Sequence, residues 1–217
     1  MNRFLFIIIF FLFLPSCSVG SIYSELFDNF KTLFSEPDDV SIEEIQKIKF
    51  ATMQARIGRS NNSIIVLEED QNGTLKWTSS NLIKIYTRKG YVVRLTGLGN
   101  ELESIELDRY HPISSGNFDF DEDKIFTSFY TFDNPKLFRL PVKTKISFVR
   151  EEEITILGKS NKVRLFEEKS LENLISWDFL NLLWVSEEGY VIKSRQSFTP
   201  KNPEIYLMLT KKYAKPN

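Results

Sequence analysis

From Phe50 onward the chain never holds one pattern for long. "ATMQARIG", "SIIVLEED", "TLKWTS", "NLIKIYT" and "YVVRLTG" are short β-patterned runs. They are broken by turn clusters such as Arg59-Ser60-Asn61-Asn62 and Gln71-Asn72-Gly73. The same reading predicts strands at Ile125–Phe132, Lys143–Arg150, Ile154–Leu157, Lys162–Glu167, Leu182–Val185, Gly189–Gln196 and Ile205–Leu209. It also predicts a helix at Leu171–Trp177 and a loop at Pro200-Lys201-Asn202-Pro203. Parallel strands need long, usually helical, crossovers, and these connections are too short for them. A sheet with this many strands must curl to bury one face and protect its edges. The expected fold is therefore mainly β: a single antiparallel meander sheet curled into a partial or closed barrel, preceded by a short helical segment.

One hairpin is written twice. "WTSSNLIKIYTRKGYVVR" starts at Trp77 and "WDFLNLLWVSEEGYVIK" at Trp177. Trp77, Asn81 and Leu82 correspond to Trp177, Asn181 and Leu182. Gly90, Tyr91, Val92 and Arg94 correspond to Gly189, Tyr190, Val191 and Lys193. In each copy a glycine supplies the left-handed turn position, and Tyr91 and Tyr190 are expected to seat the hairpins on a common sheet. The copies differ at Lys84 against Trp184, and at Arg88-Lys89 against Glu187-Glu188.

The first residues address the chain elsewhere. Arg3 precedes an apolar run, Phe4 to Leu14, shorter than the roughly 20 residues a spanning helix needs. The run fits the core of a secretory signal. Leu14-Pro15-Ser16-Cys17 resembles a bacterial lipobox, in which the cysteine is acylated and becomes the first residue; the alternative is ordinary cleavage near Ser16. Acylation has large consequences, because each buried methylene contributes about 0.8 kcal/mol and a second chain already gives stable anchoring. Ser18, rather than Asp, matches enterobacterial lipoproteins sent to the outer membrane. The expected organisation is a signal peptide at 1–16, a lipid anchor and helical segment at 17–49, and a β-rich domain at 50–217. Within 17–49, Ile22, Leu26, Phe27, Phe30, Leu33 and Phe34 form a helical stripe. It could pack on the domain or lie on a membrane. Its mixed charges favour the domain, since interfacial helices are usually basic. "SIEEIQKI" follows with a capping box, Ser41 and Glu44.

Composition narrows the chemistry. A formal net charge of −1 gives no footprint for nucleic acid. Cys17 is the one cysteine, so its acylation leaves no thiol for a disulfide, a nucleophile or a metal. His111 is the one histidine, set beside Pro112, and no G-x-S-x-G motif accompanies it. "DFDEDK" at Asp119–Lys124 resembles a calcium loop, but Lys124 stands where that loop requires glycine and Tyr130 where it requires glutamate. No catalytic residue, metal or cofactor is expected.

Several of these stretches resemble the YjbF / group 4 capsule lipoprotein family. "TLKWTSSNLIKIYTRKGYVVRLTGLGNELES" is similar to its first half and "WDFLNLLWVSEEGYVIKSRQSFTPKNPEIYLML" to its C-terminal signature. Ile154-Thr155-Ile156-Leu157-Gly158 matches a further strand. Leu183 and Ser186 depart from the tyrosine and aspartate usual there. The resemblance implies a lipid-anchored, periplasm-facing domain at the outer membrane. It would be an accessory to exopolysaccharide or capsule secretion, working beside an outer-membrane β-barrel and a periplasmic export partner. It carries no catalytic residues over.

Two rival functions remain: a carrier or chaperone for lipid-linked or apolar cargo, and a glycan-modifying enzyme. Trp184, Arg195 and Gln196 form a candidate polysaccharide surface, since flat rings stack on sugars and guanidinium and amide groups bind hydroxyls and carboxylates. Lys84, Arg88 and Lys89 form a candidate partner surface. Trp77 and Trp177 are expected in the core.

Overall fold

The computed structural model describes residues 41–120 and 122–213. Cys17, the lipobox and the 22–34 stripe lie outside the described residues. The body from residue 40 onward is a twelve-stranded antiparallel meander closed into a barrel.

Helix α1, Ile42–Lys47, is capped as its sequence predicts: the Ser41 hydroxyl accepts the Glu44 amide at 3.2 Å. The strands are β1 Thr52–Ile57, β2 Ser63–Gln71, β3 Thr74–Thr78, β4 Lys84–Arg88, β5 Tyr91–Thr96, β6 Leu102–Glu106, β7 Lys124–Asp133, β8 Lys136–Ile156, β9 Lys159–Asn173, β10 Leu180–Ser186, β11 Val191–Gln196 and β12 Ile205–Lys211. A short helix α2, Pro112–Ser115, interrupts the excursion between β6 and β7. Each strand pairs with the next, and β12 returns to β1 with Ala55 opposite Leu207, so no edge is left along the closed wall.

Three local expectations change. No helix forms at Leu171–Trp177, because β9 runs on to Asn173. The Asn173 side chain then organises the turn: its Oδ1 accepts the amides of Ile175 and Trp177, and its Nδ2 donates to the Trp177 carbonyl. Such asparagine bonding competes with helix formation. Lys143–Arg150 and Ile154–Leu157 belong to one strand, β8, with Glu151-Glu152-Glu153 inside it. Strand β6 carries too little alternation to be read from sequence.

Inward positions make two apolar clusters. The larger holds Trp77, Tyr130, Phe132, Trp177 and Phe198, which places Trp77 and Trp177 in the core as expected. The smaller holds Tyr91, Ile113, Phe126, Phe166 and Leu183. Buried polar side chains separate them along the strands. Ser128 sits between Phe126 and Tyr130 on β7, and Thr144 between Val142 and Ile146 on β8.

The far end of the β8–β9 hairpin outruns its neighbours. Strand β7 stops pairing with β8 at Ile146, and β10 stops pairing with β9 at Val163. The remainder is a two-stranded arm. It folds back against the barrel, since Ile154, Ile156 and Leu157 pack with the cluster that contains Met208 of β12. Trp184 on the outer face of β10 donates its indole N–H to Glu152 of this arm.

Candidate functional site

The two related hairpins are β4–β5 and β10–β11. Strands β5 and β11 lie six steps apart in either direction round the barrel, so they face each other. Their turns meet there. The Val191 amide donates to the Lys89 carbonyl at 2.9 Å. Lys89 and Gly90 both take left-handed backbone, with φ of 48° and 82°, the pairing that a two-residue hairpin turn demands. A Cβ on Gly90 would overlap the Val191 carbonyl oxygen. The tyrosines that follow the glycines part company. Tyr91 enters the smaller cluster, while Tyr190 packs on the larger one and bonds Thr87. Burial pushes the Tyr190 phenol up to about 12. Thr87 also accepts the Trp77 indole N–H at 2.9 Å, tying Trp77 to this contact.

The six candidate surface residues do not form one surface. Gln196 is not on the surface at all: it is 1% exposed. Strand parity turns Ser194 and Gln196 inward and Lys193 and Arg195 outward. Gln196 reaches across the lumen, its Oε1 accepting the Val92 amide at 3.1 Å and its Nε2 donating to Ser194 at 2.7 Å. Arg195 and Trp184 do share the outer wall. Arg195 pairs with Glu204 at 3.4 Å and lies in register with Leu182 and Tyr206. Lys193 stands over the Trp184 ring, 5.2 Å from its centroid. Lys84, Arg88 and Lys89 belong to the opposite hairpin. Arg88 is exposed, and the Lys89 ammonium lies over Gly116 of the β6–β7 excursion.

The densest polar chemistry is internal. Glu168 is 1% exposed and His111 0%. The Glu168 Oε2 accepts from the Tyr91 hydroxyl and from Asn181 Nδ2, each at 2.9 Å. Its Oε1 faces His111 Nε2 at 3.5 Å. The Ile113 amide donates to His111 Nδ1 at 3.2 Å, which places the ring proton on Nε2, toward the carboxylate. Burial alone would raise the Glu168 carboxyl. The facing His111 imidazole and the bonds from Asn181 and Tyr91 outweigh it and hold the group below the usual carboxylate range. Burial pushes both the Tyr91 and Tyr130 phenols up. Asn181 links onward, accepting the Ser197 amide at 2.8 Å.

This grouping resembles part of a catalytic triad and lacks its working end. In a triad one imidazole nitrogen meets the acid and the other meets the nucleophile. Here the second nitrogen caps α2, and Tyr91 and Phe126 close over the ring at 5.7 and 5.2 Å between centroids. What the geometry does is fasten the 107–123 excursion to the barrel interior.

Neither the burial of His111 nor its meeting with Glu168 is expected from the sequence. The available signal was parity: in "VRLFEEKS", Glu168 shares the inward face with Phe166. Two acids of the "DFDEDK" stretch, Asp119 and Asp123, lie in surface pairs. Lys145 meets Asp123 at 2.8 Å and holds its carboxyl low, and Arg164 lies 3.9 Å from Asp119. Among the described residues no three acidic or histidine side chains converge as metal ligands. A groove of about 330 Å³, lined by Glu151, Glu153, Lys162, Arg164, Val185 and Glu187, runs where the arm leaves the barrel.

Comparison with known proteins agrees with this architecture. The uncharacterized lipoprotein GfcB of Escherichia coli K12 is 22% identical over 191 residues, covering 87% of this chain and 88% of that one. The crystal structure of the hypothetical lipoprotein YmcC from Escherichia coli K12 superposes with a TM-score of 0.68 at 20% identity, over 91% of this chain and 97% of that one. Residues 27–209 match the family described as group 4 capsule polysaccharide lipoprotein gfcB, YjbF. By that match, which takes in all twelve strands of the closed barrel up to Leu209, the chain belongs to the YjbF family of group 4 capsule polysaccharide lipoproteins.

Proposed function

We propose that the chain is an outer-membrane lipoprotein, tethered through Cys17 with its barrel facing the periplasm. It serves export or assembly of capsule or another exopolysaccharide as a non-enzymatic accessory, beside a membrane β-barrel and a periplasmic export partner. The observation that carries this reading is the family match along residues 27–209. The interior supports it. Large side chains, Trp77, Tyr91, Tyr130, Phe132, Phe166 and Phe198 among them, occupy that interior at near-zero exposure. A carrier of apolar cargo needs that space empty, and a hydrolase needs the His111–Glu168 pair open to substrate.

The test is genetic and biochemical together. In a strain that makes the polymer, deletion is expected to abolish or sharply reduce surface polysaccharide. The parent gene restores it and Cys17→Ser does not. Cys17→Ser protein should carry no acyl chain and leave the membrane fraction. Unchanged polysaccharide on deletion would sink the pathway; continued acylation of Cys17→Ser would sink the anchor.

A further inference from the structure

The closed ring has no free edge, but β8 gains one where it outruns β7, first beside the wall and then along the arm. Residues Ser147 to Ile156 of β8 pair with β9 on one side only, because the β7 ladder ends at Ile146. None of the backbone hydrogen bonds made by loops and turns among the described residues reaches this stretch. Every second residue along it therefore turns an amide and a carbonyl away from β9, with no backbone partner among the described residues. Val149, 39% exposed, stands at its start.

The side chains on the arm are ranked by strand. On one face Glu151 of β8 opposes Arg164 of β9, and Glu153 opposes Lys162. The row on β9 is cationic and the row on the open strand is anionic. On the other face Ile154 and Ile156 turn toward the apolar cluster. A strand added beside β8 would meet the Glu151 and Glu153 carboxylates on one face and, past the Arg150–Glu152 pair, the aliphatic Ile154 and Ile156 on the other. Antiparallel pairing with a second copy would set glutamate against glutamate, which cross-strand electrostatics disfavours.

We propose that this open edge of β8 is a docking site for an extended segment of a partner protein that alternates cationic and apolar residues, added as a further strand. Main-chain bonds along Val149–Ile156 supply affinity, and Glu151 and Glu153 select the cations. The site stands on the arm's geometry and does not depend on the polysaccharide pathway.

The probe is a synthetic peptide alternating lysine and valine, compared with one alternating glutamate and valine and with an N-methylated lysine peptide. Each is added to the full chain and followed by amide hydrogen exchange. The lysine peptide is expected to protect the Val149–Ile156 amides, and the other two are not. Glu151→Gln with Glu153→Gln removes two charge pairs and should weaken binding about tenfold. Exchange of the barrel amides in the same experiment shows whether that variant is folded. Equal protection by the N-methylated peptide, equal protection by the glutamate peptide, or none at this edge would overturn the proposal. So would concentration-dependent protection of the edge without peptide, which would assign it to a second copy.

Discussion

The Val191 amide and the Lys89 carbonyl join, at 2.9 Å, two turns that lie on opposite sides of the barrel. Twelve strands would ordinarily enclose more width than side chains can fill, since barrel diameter grows with strand number. Here the repeated hairpins meet across the lumen, and the Gln196 bond to the Val92 amide repeats the crossing further in. The pinch accounts for a filled interior divided into two apolar clusters.

Gly90 should be the most sensitive glycine among the described residues. Gly90→Ala adds a Cβ against backbone, at the Val191 carbonyl, on a residue with φ of 82°. Gly73 has a similar φ of 86° with nothing within 4 Å of its Cβ position. Gly73→Ala should cost about 1 kcal/mol from backbone conformation alone. Gly90→Ala should cost at least about 3 kcal/mol, because the clash cannot relax by moving a side chain. Urea denaturation of both variants checks the difference.

This contact explains how far the sequence could be read. Alternation, turn residues and the absence of helical stretches specify the meander, and a meander of this length must close. The repeat marked the hairpins but not their meeting, because closure is a property of the whole ring and no local pattern encodes which turns face each other. The same limit applies to Gln196. It looks like one residue of an exposed polar run, "KSRQS", until the inward parity of β11 is known. The long β8 was divided at three successive glutamates, yet those lie on the arm, where both faces need not be apolar. Glu168 was hidden because a buried carboxylate is recognisable only through its partners, which come from positions 91, 111 and 181.

Glu168 should contribute stability in a pH-dependent way. Its folded carboxyl lies below the ordinary 4.5. The contribution is therefore complete above pH 4.5 and disappears as pH falls through the lower folded value. Glu168→Gln keeps the shape and removes the charge that Tyr91 and Asn181 bond and His111 faces. It should cost about 2 kcal/mol near neutrality, and the gap between parent and variant should narrow below pH 4.5. Paired denaturation curves across acid pH measure this. A constant gap would mean that Glu168 is already protonated in the folded barrel.

Gln196 and Arg195 are neighbours in sequence and should behave as residues of different compartments. Gln196→Ala orphans the buried Val92 amide, at about 1–3 kcal/mol. Arg195→Ala removes a partly exposed pair with Glu204 and should cost less than about 1 kcal/mol. Denaturation midpoints of the two variants would show the contrast. Comparable losses would place Gln196 outside the lumen.

The arm should unfold on its own. An isolated two-stranded hairpin is marginal in water, so residues 153–162 depend on what holds them to the wall: the Trp184–Glu152 bond at their base and the packing of Ile154, Ile156 and Leu157. Ile156 is 7% exposed, and truncating it removes part of that packing without touching a barrel strand pair. Ile156→Ala should therefore lower the local opening energy of the arm by about 2 kcal/mol, raising its amide exchange roughly thirtyfold while the β1–β12 amides are unchanged. Ile65, 1% exposed inside the barrel, is the comparison. Ile65→Ala should instead raise exchange wherever amides open only by global unfolding. If Ile156→Ala also accelerated the β1–β12 amides, the arm would be part of the barrel's cooperative unit and could not open separately to present its edge.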